Sequence, residues 1–259
     1  FEMKLYFIDK SFLSRIVLLS LLIYCGEDSL LDCEKNKPAS CDQPTKDEQA
    51  ILDLNEKKYD EVIRVLSELQ KEFPTEYFRY PVLASAYAGK AGFDIPQMIL
   101  SSDGKPEKML ESLSEVKEED GLSVDDKIKN LTTGRDLILS MPEDERKSTS
   151  DKYYASSAEI QLQIYQLFIT NLMLSKFTSM KDGKMISDPE ALAKMTDEEA
   201  ISFLNELAKG SQISTSSGEL SQLSGGLNKQ FLETQGKINA EEGENSSEKL
   251  KSFINGLGE

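Results

Sequence analysis

Few residues in this chain could do chemistry, and the missing types narrow the possibilities more than those present. Histidine occurs at none of the 259 positions. Without it there are no Ser–His or Cys–His nucleophile pairs, no histidine metal sites and no ordinary general base near neutral pH. Carboxylates, lysines, tyrosines and three cysteines remain, the last at Cys25, Cys33 and Cys41. Ser246 and Lys249 have the spacing of a Ser-x-x-Lys pair, but the stretch around them is polar and offers nothing to exclude water. Neighbouring carboxylates such as Glu118-Glu119 and Glu198-Glu199 follow from the acidic composition, and adjacent residues on a helix point apart. Glycine-rich phosphate loops, Cys-x-x-Cys, nucleophile elbows and His-Glu-x-x-His are missing. No catalytic residue, metal or cofactor is therefore assigned, and an enzyme is not expected.

Composition sets the remaining bounds. With 39% hydrophobic and 29% charged residues, the chain is expected to fold and to bury a core. Its net charge of −16 repels phosphate backbones, and no dense basic patch offsets it, so nucleic acid is excluded as a partner.

The amino-terminal segment has a different character. Met3-Lys4 reads as a translation start, with Phe1-Glu2 ahead of it. Lys4, Lys10 and Arg15 give residues 1–24 a small positive balance. Ile16 to Tyr24 is then an apolar run of nine residues, about 14 Å as a helix and too short to span a bilayer. A basic start before a short apolar run is the layout of a secretory signal. Leu22, Ile23 and Cys25 resemble the end of a bacterial lipoprotein signal, with Tyr24 where a small residue is usual. That resemblance implies cleavage before Cys25, which would become the lipid-modified first residue. Cys33 and Cys41 are then left over, and an oxidising compartment favours a disulfide between them. Two cysteines without a second pair do not complete a tetrahedral metal site.

Beyond the polar tether, Thr45 and Glu48 form a capping box that opens a helix. Ile51 and Leu54, then Tyr59, Val62, Ile63, Leu66 and Leu69, recur at helical spacing, with a turn at Asn55 to Lys58. Pro74 ends the second helix. Tyr80, Leu83, Ala84 and Tyr87 begin a third. These residues resemble a tetratricopeptide repeat, whose period is 34 residues. With Pro74 on the closing proline, Tyr59, Asp60, Glu61 and Ile63 fall on the turn-and-helix segment. Tyr80, Leu83, Ala84 and Tyr87 fall on the first helix of the next repeat. The resemblance covers about 50 residues and implies antiparallel helical hairpins. Asp47 and Ile51 stand where some such repeats carry a clamp for a peptide carboxylate, so no ligand is implied.

Further along, Pro106 favours a helix over Lys108–Val116, and Val124–Met141 reads as another, ended by Pro142. Ser150–Lys181 is the longest apolar-periodic run, apolar around most of its circumference and interrupted by Gln161, Gln163, Gln166 and Asn171. Such a helix belongs in a core. Lys181 to Gly183 reads as a turn. Capping boxes at Ser187–Glu190 and Thr196–Glu199 start two more helices, the second stopped by Gly210. The last fifty residues are polar and allow two weaker helices, about 219–237 and 246–256.

The expected fold is all-α, with antiparallel hairpins in a repeat-like superhelix behind an amino-terminal signal and tether. The expected divisions are a signal peptide at 1–24, a lipidated tether at 25–44, a helical domain at 45–210 and polar carboxy-terminal helices at 211–259. The function expected is docking: a scaffold of the bacterial envelope, held in the outer membrane through Cys25, facing the periplasm and binding another envelope protein. The second expectation is a small-molecule-binding accessory lipoprotein of an uptake system, its ligand held between the hairpins and the long apolar helix.

Overall fold

The computed structural model describes residues 42–95, 97–98, 121–147, 158–181, 184–213 and 221–257. Its contacts divide the chain into Phe1–Gln49 and Ala50–Glu259, a boundary that falls within the first helix, and the packing described below is that of the second unit.

Helix α1 (Asp42–Asn55) begins a turn before the position that Thr45 and Glu48 suggest. It closes in a Schellman turn, in which Lys58 N–H donates to the Asp53 carbonyl (2.8 Å) and Lys57 N–H to that of Leu54 (3.0 Å). Lys57 takes φ +62°, the left-handed site that glycine usually fills. Helix α2 (Tyr59–Glu72) buries Val62, Leu66 and Leu69 on one face. Asp60 and Glu61 in its first turn and Lys71 in its last complement the helix dipole. It stops short of Pro74, as the restriction on residues before proline requires.

Helix α3 (Arg79–Lys90) returns against α2. The Lys90 ammonium lies 2.5 Å from Asp60, and the Tyr59 ring covers Gly89, so the start of α2 meets the end of α3. Near the other end, Tyr80 hydroxyl donates to the Pro74 carbonyl at 2.9 Å. The pair is an antiparallel hairpin. Ala50, Leu54, Val62, Leu66, Leu69, Val82, Leu83 and Ala86 form an apolar seam of their own between the three helices. Arg79 is buried at the entry to α3, its guanidinium over the rings of Phe73 and Phe78 at 5.6 and 4.8 Å.

Helix α4 (Val124–Leu139) is capped by Ser123, whose side chain accepts from Asp126 N–H, and it packs on α3. A short α5 (Glu143–Lys147) follows Pro142. Helix α6 (Ala158–Ser175) is buried at every position from Ala158 to Thr170 and is the axis of the main core. It approaches α4 closely at Gly134, where a β-carbon would lie 2.9 Å from the Tyr165 ring. On another face Phe168 stacks on Phe93, centroids 4.5 Å apart.

The helix does not continue to Lys181, as the apolar period suggests. It ends at Ser175, and β1 (Thr178–Lys181) pairs antiparallel with β2 (Lys184–Ser187), Thr178 opposite Ser187. Asp-Gly at 182–183, outside the described residues, is the two-residue sequence that hairpins favour.

Helix α7 (Pro189–Ala193) is capped by Asp188, which accepts from the Glu190 and Ala191 N–H groups, and not by Ser187. Helix α8 (Asp197–Gln212) starts in the full capping box of Thr196 and Glu199. Gly210 does not end it. The helix runs on to Gln212, and the missing side chain at Gly210 makes room for the Phe231 ring.

The carboxy-terminal helices α9 (Ser221–Ala240) and α10 (Ser246–Asn255) pack into the main core through Leu227, Phe231, Ile238, Leu250 and Ile254. Asn228 donates to the carbonyls of Ser211 and Ile213 and so closes the end of α8. Ser247 hydroxyl donates to Asp197 (2.8 Å), tying the start of α10 to the start of α8. Ten helices and one two-stranded hairpin make up the described residues, and none of those helices is long and apolar enough to cross a membrane.

Candidate functional site

Inside the main core the chain keeps a line of polar side chains. Glu159, Gln163, Gln166 and Thr170 follow one another along α6 at intervals of four, three and four, a single face of the helix. All four are buried, Gln163 and Gln166 completely. Burying an amide without a partner costs about 1–3 kcal/mol, so a polar face kept in a core must be met by something.

At Gln166 it is met by a charged pair from helices on either side. Arg135 of α4, 5% exposed, donates through Nη1 to Gln166 Oε1 (3.2 Å) and pairs with the Glu206 carboxylate of α8. Gln166 Nε2 donates to Glu206 Oε2 (2.8 Å) and to the Glu206 carbonyl (2.6 Å). Lys209 donates to Glu206 Oε1 at 2.7 Å, and Asp136 takes a second edge of Arg135 at 2.9 Å. Both Glu206 oxygens and both ends of the Gln166 amide are thus satisfied, which is the condition under which a buried ion pair is tolerated. Burial alone would push the Glu206 carboxyl up. The hydrogen bonds from Lys209 and Gln166, with the charges of Arg135 and Lys209, outweigh it and hold the group below the usual carboxylate range.

A cleft of about 360 Å3 lies beside this centre, walled by α4, α5, α6 and α8. Arg135, Gln166 and Lys209 face it, joined by Arg146, Glu143 and Glu159. Arg146 Nη1 donates to the carbonyls of Leu139 (3.1 Å) and Met141 (2.8 Å), capping the end of α4. Elsewhere on the polar face Gln163 has no hydrogen-bond partner among the described residues, and neither does the Tyr165 hydroxyl, which lies against Gly134. Burial pushes the Tyr165 phenol well above its ordinary value, so it stays neutral. The arrangement sets fixed donors and acceptors along the wall of the cleft.

A second depression, about 690 Å3, lies at the end of the α2–α3 hairpin. Its walls include Lys57, Tyr59, Asp60, Lys90 and Leu122. Burial, helped by the charge of Asp94, raises the Tyr59 phenol above its ordinary value.

The residues singled out in the sequence fall in two groups. Tyr59, Ile63, Leu83 and Tyr87 meet in or against the α1–α3 seam, while Tyr80 and Ala84 belong to the main core. Pro74 is exposed and contributes its carbonyl to Tyr80. Cys25, Cys33 and Cys41 lie outside the described residues, as does the stretch 108–116. The Arg135–Gln166–Glu206 centre was not singled out from the sequence. Its one sequence signal is the helical spacing of polar residues within the most apolar run.

No protein-family model matches the chain, and no curated protein or solved structure does so either.

Proposed function

We propose that the chain is a lipid-anchored helical scaffold of the bacterial cell envelope, acylated at Cys25, that docks another envelope protein. In this reading Cys33 and Cys41 close a small loop in the tether. The helices form a repeat-like stack at the outer membrane, facing the periplasm. The observation that carries it is the α1–α3 layer: an antiparallel hairpin closed by Tyr59 on Gly89, with an apolar seam distinct from the main core. Stacked hairpins of this kind expose long helical faces, and such faces bind proteins more readily than they hold a reacting substrate.

Fractionation of cells expressing the full chain tests the anchor. The parent is expected in the membrane fraction carrying fatty acid, and Cys25→Ala in the soluble fraction. Capture from detergent-solubilised membranes should then return one stoichiometric envelope protein. A parent chain found in the cytosol without fatty acid, or one that captures nothing from its membrane, refutes the proposal.

A further inference from the structure

We infer that the cleft between α4, α5, α6 and α8 is a binding site for a small zwitterion of the free amino-acid type. Its volume, about 360 Å3, is at the small end of the roughly 300–1,000 Å3 typical of small-molecule sites. Groups of both signs face it: Arg146 and Lys209 on one hand, Glu143 and Glu159 on the other.

Arg146 is the anchor for a carboxylate. Its Nη1 is committed to two carbonyls at the end of α4, and this fixes the plane of the guanidinium. Its Nε–H is buried and meets no acceptor among the described residues. A guanidinium edge takes a carboxylate oxygen better than any other acceptor, and leaving the donor unmet is costly. Lys209 is half exposed and spends one N–H on Glu206, which leaves two more. Glu143 and Glu159 already make contacts, but a carboxylate offers about four acceptor positions, so each can also receive an ammonium. A plain dicarboxylate would be repelled by those two residues, whereas a zwitterion is attracted at both ends. Leu139, Leu162 and Ile213 supply apolar wall for a short side chain. The Arg135–Gln166–Glu206 hydrogen bonds fix one side of the cleft in advance, which lowers the cost of binding. None of this depends on the docking role, and either could fail alone.

Calorimetric titration of the full chain with each of the common free L-amino acids, at low ionic strength, tests the site. Any that binds is repeated as its N-acetyl and carboxamide forms. At least one free amino acid should bind with one-to-one stoichiometry, and blocking either end should weaken it roughly tenfold or more. Arg146→Gln should abolish binding. Because Arg146 also caps α4, that variant can fail to fold; Lys209→Gln alters a half-exposed side chain, so it should stay folded, with a melting temperature lowered by loss of the Glu206 ion pair, while binding several-fold more weakly. No binding by any free amino acid overturns the inference. So does binding that survives N-acetylation, which would mark a simple carboxylate site, or unchanged binding in Lys209→Gln.

Discussion

Replacing Gly210 by alanine tests how closely α8 and α9 are packed, because the local and the tertiary effects have opposite signs. Inside a helix the change from glycine to alanine ordinarily stabilises by about 1 kcal/mol. At Gly210 the new methyl would sit 2.6 Å from Cδ1 and Cε1 of Phe231. Ordinary carbon contacts are about 3.5–4.0 Å, so the ring or the helix must move by about 1 Å. Phe231 is only 2% exposed and cannot swing into solvent. Overpacking of this kind costs about 1–3 kcal/mol, leaving a net loss of up to ~2 kcal/mol. Gly236, in the interior of α9, has nothing within 4 Å of where its β-carbon would be, and Gly236→Ala should gain about 1 kcal/mol. Urea denaturation followed by far-ultraviolet circular dichroism measures both variants against the parent. The expected separation between them is about 2 kcal/mol, and Phe231→Leu in the Gly210→Ala background should recover part of the loss. If Gly210→Ala is as stable as Gly236→Ala, the two helices do not approach as described and the packing argument fails.

Two further outcomes follow from particular residues. Lys57→Gly should stabilise the chain by roughly 0.5–1 kcal/mol in the same assay, because it relieves a left-handed backbone site within a Schellman turn; a loss of stability would contradict that turn. Glu206 supplies a pH dependence: its carboxyl is held below the ordinary range, so it binds a proton more readily in the unfolded chain. Its contribution is complete above that range and is lost as pH falls through the lowered value. Melting temperatures of parent and Glu206→Gln should therefore converge on acidification, and a gap that stays constant or widens would show that Glu206 is not held as described.

Much of the helical layout is legible in the sequence because the forces behind it are local. The spacing of Val62, Leu66 and Leu69 defines the buried face of α2, Pro74 limits its end, and Thr196 with Glu199 fixes the start of α8 within four residues. The burial of α6 is legible too, since a helix apolar on nearly all sides has nowhere else to go. The hairpin after Ser175 is not, although Asp-Gly marks its turn, because strands of four residues are too short for an extended period to be told from a helical one.

The polar centre needed the folded chain. Glu206 lies 71 positions from Arg135 and 40 from Gln166, and nothing local distinguishes it from the other acids on α8. Gly210 has the same history: as a residue type it signals a helix end, and only the arrival of Phe231 from α9 makes it an interior contact. The sequence by itself determined which segments coil and which faces they bury, because those depend on neighbours one turn away. Which buried charges meet, and which glycine is a contact instead of a stop, the tertiary structure alone decided. Those outcomes depend on distances between helices, which local residue spacing does not set.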